Sequence, residues 1–283
     1  MPPISVLIKP SSGICNMKCD YCFYCDEMKK RMQESYGFMT EQTLKNVIRK
    51  TMLHAEGMIS YAYQGGEPTL RGIAFYEKAI EYQRNYNKCG IRVNNAMQTN
   101  GYLIDDEWCK FFKENHFLIG LSVDGTKQIH DLYRHGKSGE PTFDRIKKAA
   151  ELMDQYGVDY NILTVVTQKT AAHAAEIYNY YKEQGWKYQQ YIACLDPLGE
   201  DRGKTPYALN PEQYGMFLTE LFNLWYEDWK KGEQPYIRQF ENYIGILLGY
   251  QPESCEQRGS CGTQNVVEAD GSCLLYTSPS PRD

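Results

Sequence analysis

Six strand-like segments alternate with helix-like segments over residues 4–197, and this alternation limits the folds open to the chain. Strands that alternate with helices of ordinary length indicate βα units and a parallel sheet. Six such units favour a curved, partly closed α/β barrel over a flat doubly wound sheet. The strand-like segments are ISVLIKP (4–10), MISYAYQGG (58–66), IRVNNAMQTNG (91–101), FLIGLSVDG (117–125), VDYNILTVVT (158–167) and YQQYIACLDP (188–197).

Helix-like segments follow the predicted strands, and two of them end at a glycine. Segment 142–156 stops just before Gly157 and segment 171–185 stops at Gly185, and glycine readily takes the left-handed conformation that closes a helix. Beyond about 205 the alternation gives way to two helices, and then to Cys255, Cys261 and a strand-like QNVVEADG. The helix-like segments are 40–56, 70–87, 105–115, 142–156, 171–185, 210–231 and 237–249.

These changes predict three parts of the chain. Residues 1–235 form the barrel. Residues 236–272 contain a linker helix and the start of a small cysteine-bearing module. We interpret residues 273–283, which end in a Ser/Pro run, as a foreign or artefactual tail.

Short polar or glycine-bearing loops follow five of the six predicted strands. In α/β barrels, binding groups collect at the carboxyl ends of the parallel strands. A single loop of this composition is also common as a plain turn, but five at one edge of the sheet indicate a shared ligand site. The loops are CNMKCDYC (15–22), GGEP (65–68), QTNG (98–101), SVDG (122–125) and CLDP (194–197).

Three closely spaced cysteines give the first of these loops its chemistry. Cys15, Cys19 and Cys22 are spaced C-x3-C-x2-C, and Cys25 follows. A structural zinc site would need four ligands, with Cys25 as the nearest fourth. Cys22 and Cys25 alone satisfy the C-x-x-C of a redox dithiol. Three thiolates could also hold an iron–sulfur cluster and leave one iron open. The spacing alone leaves these three possibilities open.

Composition excludes several classes of function. A net charge of -5 and a pI near 5.7 give no electrostatic basis for binding nucleic acid or a membrane surface. The sequence has no apolar run near the ~20 residues of a membrane helix and no signal-peptide pattern at its N-terminus. We therefore expect a cytoplasmic protein. Ten cysteines in that compartment indicate metal binding or redox chemistry rather than a disulfide framework.

The cysteine motif, with Tyr21 before its last thiol, resembles the signature of the radical S-adenosylmethionine (SAM) superfamily. GGEP resembles the motif with which that superfamily receives the amino group of SAM. The resemblance implies that Cys15, Cys19 and Cys22 hold a [4Fe-4S] cluster whose fourth iron binds SAM. It also implies that one electron cleaves SAM to methionine and a 5′-deoxyadenosyl radical.

A larger set of motifs resembles the anaerobic sulfatase-maturating enzymes from residue 1 to about 272. They are IKPSSGICNMKCDYCFY, YQGGEPTL, MQTNGYLID, GLSVDG…IHDLYR and IACLDPLGE. These enzymes oxidise a cysteine or serine of a sulfatase to Cα-formylglycine. The resemblance implies a partial (β/α)6 barrel of the radical SAM type followed by a SPASM iron–sulfur module. The SAM contacts that it implies are Tyr21, Gln64, Gly66, Glu67, Ser122, Arg134 and Leu195.

The same resemblance extends to the C-terminal module. It implies that Cys255 and Cys261 are the first ligands of an auxiliary [4Fe-4S] cluster. After VVEADGS the family continues into Pro-Cys-Asp, which supplies a further ligand and the proposed catalytic base. This chain has Tyr276 and Thr277 at the corresponding positions. We therefore expect a C-terminally truncated member that lacks the base, cleaves SAM and matures a sulfatase poorly.

The expected partners of a monomeric enzyme of this kind are a sulfatase polypeptide and an electron donor such as flavodoxin or ferredoxin. One alternative is another SPASM-type peptide modifier, for instance one that forms thioether crosslinks. A second is a non-catalytic iron–sulfur or zinc-binding module with Cys25 as fourth ligand. Near Arg134, His130 and His135 are predicted at solvated loop positions, while Asp124 is equally a ligand or a turn residue.

Overall fold

The chain folds around one mostly parallel sheet. A computed structural model of the protein describes residues 3–253, 255–259 and 264–275. The strands are β1 (Ile4–Ile8), β2 (Met17–Cys19), β3 (Met58–Tyr63), β4 (Arg92–Thr99), β5 (Phe117–Ser122), β6 (Arg134–Gly136), β7 (Asp159–Val166), β8 (Tyr188–Ala193), β9 (Tyr236–Ile237), β10 (Asn265–Val267) and β11 (Cys273–Leu275).

The helices lie mainly between these strands. A short 3-10 helix, Pro68–Arg71, precedes α3. The helices are α1 (Phe23–Lys30), α2 (Glu41–His54), α3 (Ile73–Tyr86), α4 (Asp106–Glu114), α5 (Lys127–His130), α6 (Phe143–Tyr156), α7 (Gln168–Ala171), α8 (Ala174–Glu183), α9 (Pro211–Trp229), α10 (Arg238–Leu247) and α11 (Cys255–Arg258). Within the described residues, none of the helices is long and apolar enough to span a membrane.

The six predicted strands are confirmed as β1, β3, β4, β5, β7 and β8, and they are consecutive neighbours in a nine-stranded sheet. Neighbours in this sheet are parallel, except β10 and β11. The strand order is β11-β10-β1-β3-β4-β5-β7-β8-β9. In the described part of the chain the sheet keeps two free edges, as a partial barrel does. The predicted α/β class is therefore confirmed.

One face of the sheet packs against the helices. In β3, Ile59, Tyr61 and Tyr63 are buried, whereas the alternating positions are half-exposed. Tyr63 contacts Tyr76 of α3, with ring centroids 5.1 Å apart. Because successive side chains of a strand point to opposite faces, the core lies between sheet and helices. The side chains of β3 that point to the other face are half-buried.

The helix predictions are confirmed with small shifts at the ends. α6 ends at Gly157, which has the left-handed φ of 64°. The predicted helix 70–87 begins later, because Pro68–Arg71 forms a 3-10 turn and Gly72 takes a positive φ before α3. The predicted helix 171–185 is divided, since α7 ends at Ala171 and α8 starts at Ala174.

A two-stranded antiparallel pair, β2 with β6, was not predicted. Its register places Cys19 opposite Arg134 and Met17 opposite Gly136. Each strand has three residues, too few for a hydrophobic period to show in the sequence. The pair matters because it brings the middle cysteine of the first loop to the predicted SAM-binding arginine.

The C-terminal part of the described chain joins the sheet. β10 pairs in parallel with β1, which confirms the strand-like character of 264–271. β11, the first three residues of the predicted tail, pairs antiparallel with β10. The division at 272 and the foreign origin of the tail stay predictions.

A buried ion pair fastens this C-terminal segment to the barrel. Lys9 and Glu268 pair with side chains only 5% and 3% exposed. Arg31 Nη1 lies 3.0 Å from the same carboxylate oxygen of Glu268. The Lys9 amide also donates a hydrogen bond to the Val267 carbonyl, with N and O 2.8 Å apart. These contacts hold the residue after β10 against the start of the cysteine-bearing loop.

We expect Glu268→Gln to lower the free energy of unfolding by about 3–5 kcal/mol, because the Lys9 ammonium would stay buried without its full counter-charge. Urea unfolding followed by circular dichroism measures this change. The control is Lys147→Gln, which removes the exposed partner of Glu151 and should cost less than about 1 kcal/mol. Equal losses in the two variants would contradict the role of the buried pair.

Candidate functional site

The cysteine-bearing loop lies at the carboxyl edge of the sheet, directly against the loop after β3. The Glu67 amide donates to the Ile14 carbonyl, with N and O 2.8 Å apart, and the Ser11 hydroxyl donates to the Glu67 carbonyl at 3.0 Å. Gly66 has φ +53°, and a Cβ there would lie 2.2 Å from the Ile14 carbonyl oxygen. Only glycine meets both requirements, the positive φ and the close approach of two backbones.

Glu67 connects this loop to the one after β4. Its buried carboxylate accepts hydrogen bonds from the Thr69 amide (3.0 Å), the Thr69 hydroxyl (2.6 Å), the Thr99 hydroxyl (2.7 Å) and the Asn100 amide (2.8 Å). Burial raises the pKa of Glu67, while these donors oppose the rise. The predicted SAM contact of Glu67 stays a prediction. To contact SAM, the Glu67 carboxylate would have to accept a hydrogen bond from SAM beside these donors or in place of one of them.

Hydrogen-bond donors surround the first two thiols. Asn100 Nδ2 lies 3.5 Å and the Met17 amide nitrogen 3.4 Å from Cys15 Sγ. Arg134 Nη1 lies 3.9 Å from Cys19 Sγ. Burial raises the pKa of Cys15 to about 11 and that of Cys19 to about 12, although Arg134 lowers the latter. Bound iron would supply the positive charge that deprotonates such buried thiols.

The third thiol differs because Cys25 lies beside it. The Cys25 thiol donates a hydrogen bond to Cys22, which lowers the pKa of Cys22 to about 6 and raises the pKa of Cys25. Backbone amides of Tyr24 and Cys25 contribute to the lowering. One thiol of the neighbouring Cys22 and Cys25 is therefore easier to deprotonate than Cys15 or Cys19.

This donor set fits an iron–sulfur cluster. Asn16 Nδ2 is buried beside Cys15 without a hydrogen-bond partner, a donor left for a group held by the loop. In the described residues, no three or more Cys, His, Asp or Glu side chains are arranged to hold one metal ion. The thiolates of a four-iron cluster bind different irons, so Cys15, Cys19 and Cys22 need not meet at one point.

Asp124 and Arg134 form the charged centre of the site. Arg134 Nε lies 2.8 Å from Asp124 Oδ2, and both side chains are buried. The Val165 amide donates to Asp124 Oδ1 at 2.9 Å, and the Tyr21 hydroxyl donates to Asp124 Oδ2. The Arg134 guanidinium lies over the Tyr21 ring, 5.5 Å from its centroid. Asp124 is thus more than a turn residue, because it orients both predicted SAM contacts.

The remaining predicted SAM contacts lie at the same edge of the sheet. Gln64 follows β3 and is half-buried, and its backbone N–H donates to the Ile8 carbonyl. Ser122 ends β5 and is buried. Leu195 follows β8 and is 68% exposed, as a side chain available to a ligand would be. The adjacent Cys194 has its pKa raised to about 12, first by burial and then by the Asp124 charge.

The auxiliary-cluster prediction falls largely outside the described residues. Cys261, Tyr276 and Thr277 lie outside them, and Cys255 is described only as the first residue of α11. The predicted ligand roles of Cys255 and Cys261 therefore stay predictions, as does the absence of the family's base.

Two site residues were missed or misjudged from the sequence. The prediction that His130 is solvated is wrong, since its exposure is 0%. His130 ends the short helix α5, and its sequence neighbours carry no signal of burial. The burial comes from packing on Phe143 and a hydrogen bond to Thr142. Tyr207 was missed. Its ring centroid lies 6.3 Å from that of Tyr21, but residues 198–210 have no regular pattern that could place it.

Comparison with known proteins gives the family. Residues 10–181 match the radical SAM superfamily. The chain is 47% identical to the cysteine-type anaerobic sulfatase-maturating enzyme of Clostridium perfringens, over 98% of this chain and 75% of that protein. It is 31% identical to the serine-type enzyme of Bacteroides thetaiotaomicron, over 98% and 70%.

A solved structure agrees with these relatives in fold. The structure described as native anSMEcpe with bound AdoMet and Cp18Cys peptide superimposes with a TM-score of 0.91 at 47% identity. The match covers 97% of this chain and 74% of that one. SAM and a [4Fe-4S] cluster are the cofactors of this family. The chain belongs to the anaerobic sulfatase-maturating enzymes of the radical SAM superfamily.

Proposed function

We propose that this protein oxidises a cysteine of a sulfatase polypeptide to Cα-formylglycine, with SAM and a [4Fe-4S] cluster held by Cys15, Cys19 and Cys22. The observation that carries the proposal is the contact between the three-thiol loop and the Asp124–Arg134 pair, through Arg134 and Cys19. A cysteine substrate is proposed because the cysteine-type relatives are 44–47% identical to this chain, whereas the serine-type relatives are 31–32% identical.

Each site residue has a part in binding. Arg134 would hold the carboxylate of SAM, since a guanidinium binds carboxylates through several N–H groups. Gly66 would let the backbone approach the methionine end of SAM, with Gln64 beside it. Ser122 would bind the ribose, while Tyr21 and Leu195 would contact the adenine. When bound, the cluster supplies the electron for the reductive cleavage of SAM.

The chain's own groups prepare the site for a charged cofactor. Asn100 and the Met17 amide donate to Cys15, and Arg134 places a positive charge at Cys19. Hydrogen bonds of this kind stabilise thiolate ligands and tune the metal centre that they hold.

The electron donor, the oligomeric state and the location of the enzyme are part of the proposal. The electron donor is a one-electron carrier such as flavodoxin or ferredoxin, and the enzyme acts as a monomer. A cytoplasmic location agrees with the free thiols of Cys15, Cys19, Cys22 and Cys25, which a reducing compartment preserves.

The test is anaerobic reconstitution with iron and sulfide, followed by incubation with SAM, dithionite and a sulfatase-derived peptide. We expect 5′-deoxyadenosine by chromatography and formylglycine by mass spectrometry, with faster conversion of a cysteine peptide than of its serine counterpart. If the segment after Ser272 cannot supply the base, 5′-deoxyadenosine will form with little formylglycine. No 5′-deoxyadenosine above that of a Cys15→Ala control would contradict the proposal.

A further inference from the structure

A fully buried histidine lies next to the cofactor site, and none of the roles above uses it. We propose that His130 is a positioning residue: it holds the backbone of Asp124 and, through Thr142, the backbone of Arg134, and so fixes the guanidinium beside Cys19. This inference rests on the proposed binding of SAM. It extends that proposal to two residues, His130 and Thr142, that act through others.

Three hydrogen bonds form a continuous chain. The Asp124 amide nitrogen lies 3.2 Å from His130 Nδ1. His130 Nε2 lies 3.1 Å from Thr142 Oγ1. Thr142 Oγ1 lies 3.0 Å from the Arg134 carbonyl oxygen. These three hydrogen bonds therefore connect the loop after β5, which carries Asp124, with the start of β6, which carries Arg134.

The direction of each bond follows from its partners. A backbone amide can only donate, so His130 Nδ1 accepts. A carbonyl can only accept, so the one hydroxyl hydrogen of Thr142 goes to Arg134. Thr142 must then accept from His130, whose Nε2 carries the proton. The three residues thus require one histidine tautomer, with both ring nitrogens satisfied.

The surroundings of His130 keep this tautomer in place. Burial lowers the pKa of His130 to about 3, and the neighbouring Arg134 and His135 charges lower it too, against the Asp124 carboxylate. The ring therefore stays neutral at physiological pH. Phe143 packs edge-on against it, with ring centroids 5.4 Å apart.

The last of these hydrogen bonds is made to the Arg134 backbone, whose position affects both predicted cofactor contacts. The Arg134 backbone is paired with that of Cys19 between β6 and β2. The Arg134 side chain reaches Asp124 through Nε and Cys19 through Nη1. A shift of the Arg134 backbone would therefore move both the predicted carboxylate contact and a predicted cluster ligand. A binding group that is already held in place raises affinity, because less ordering has to occur on binding.

The test uses the full chain with its cluster reconstituted. We expect His130→Phe, which keeps an aromatic ring but loses both bonds, to weaken SAM binding roughly tenfold in equilibrium dialysis. His130→Asn keeps an acceptor near the position of Nδ1 and should recover part of the affinity. Thr142→Val keeps the shape of the side chain and should weaken binding less. Because both residues act on Arg134 through Thr142, the loss of affinity in His130→Phe/Thr142→Val should be smaller than the sum of the two single losses.

The control is Tyr178→Phe, which removes another buried hydrogen bond, to Asp228, remote from the site. Its SAM affinity should equal that of the wild type even if its melting temperature falls as far as that of His130→Phe. Wild-type affinity in His130→Phe, or additive losses in the double variant, would overturn the inference. If His130→Phe does not fold, the affinity of Thr142→Val decides. Absence of SAM binding in the wild type would overturn the proposed function as well.

Discussion

Replacement of Cys15, Cys19 or Cys22 with alanine is expected to reduce 5′-deoxyadenosine formation to background. Each thiol lies in the loop that contacts Arg134 or Asn100, and loss of one ligand leaves two for a cluster that needs three from the protein. Iron content and visible absorption of the reconstituted variants should fall together with SAM cleavage. Anaerobic chromatography of the reaction products measures the effect.

Cys25→Ala is the matched control, because Cys25 lies in α1, three residues after Cys22. Its thiol donates a hydrogen bond to Cys22, so its loss should alter the cluster's redox potential and retain the iron. A second control, Cys109→Ala, removes a buried thiol from α4 and should leave both iron and SAM cleavage intact. If Cys25→Ala loses iron as completely as Cys22→Ala, the site has four thiolate ligands and the three-ligand prediction is wrong.

Gly66→Ala is expected to lower the free energy of unfolding by roughly 3 kcal/mol or more and to abolish SAM binding. A left-handed φ alone costs a non-glycine residue about 1–2 kcal/mol, and the added Cβ would lie 2.2 Å from the Ile14 carbonyl oxygen. Relief of that clash would separate the loop after β3 from the cysteine-bearing loop. Chemical denaturation and equilibrium dialysis with SAM measure the two effects.

Gly72→Ala is the control that measures the cost of a positive φ without a clash of the added Cβ. Gly72 also has a positive φ, +71°, but no heavy atom lies within 4 Å of the position of its Cβ. Its backbone, with φ 71° and ψ 158°, lies in a region used essentially by glycine alone. The variant should therefore show only the cost of that conformation, about 1–3 kcal/mol, with SAM binding retained. Similar losses of stability and binding in the two variants would show that the contact between Gly66 and Ile14 does not matter.

Local patterns predicted much of this fold. β3 and β7 are runs of alternating burial long enough for a period of two to show, and α6 ends at the glycine that its sequence indicates. The three-residue strands β2 and β6 and the four-residue helices α5 and α7 were not predicted, because such short elements form through contacts with distant residues.

The candidate site was predicted in outline but not in its connections. The structure brings the cysteine-bearing loop against GGEP and Arg134, while the ligand roles assigned to them stay predictions. The burial of His130 and the coupling of Arg134 to Asp124 were not predictable, since Asp124 and Arg134 are separated by a helix and a turn. The link that the Glu67 carboxylate makes between two loops, through residues 32 and 33 positions away, was not predicted either.

The sequence by itself determined the α/β class, the order of the six βα units and the three-thiol loop, because each depends on spacing between residues close in the chain. The tertiary structure decided how Cys19 meets Arg134, 115 positions away, and how Lys9 meets Glu268, 259 positions away. Such pairs form only when the sheet has brought their strands together, and burial then makes each unsatisfied charge or donor costly. The chemistry of the loop was therefore encoded locally, while its precise surroundings depend on the whole fold.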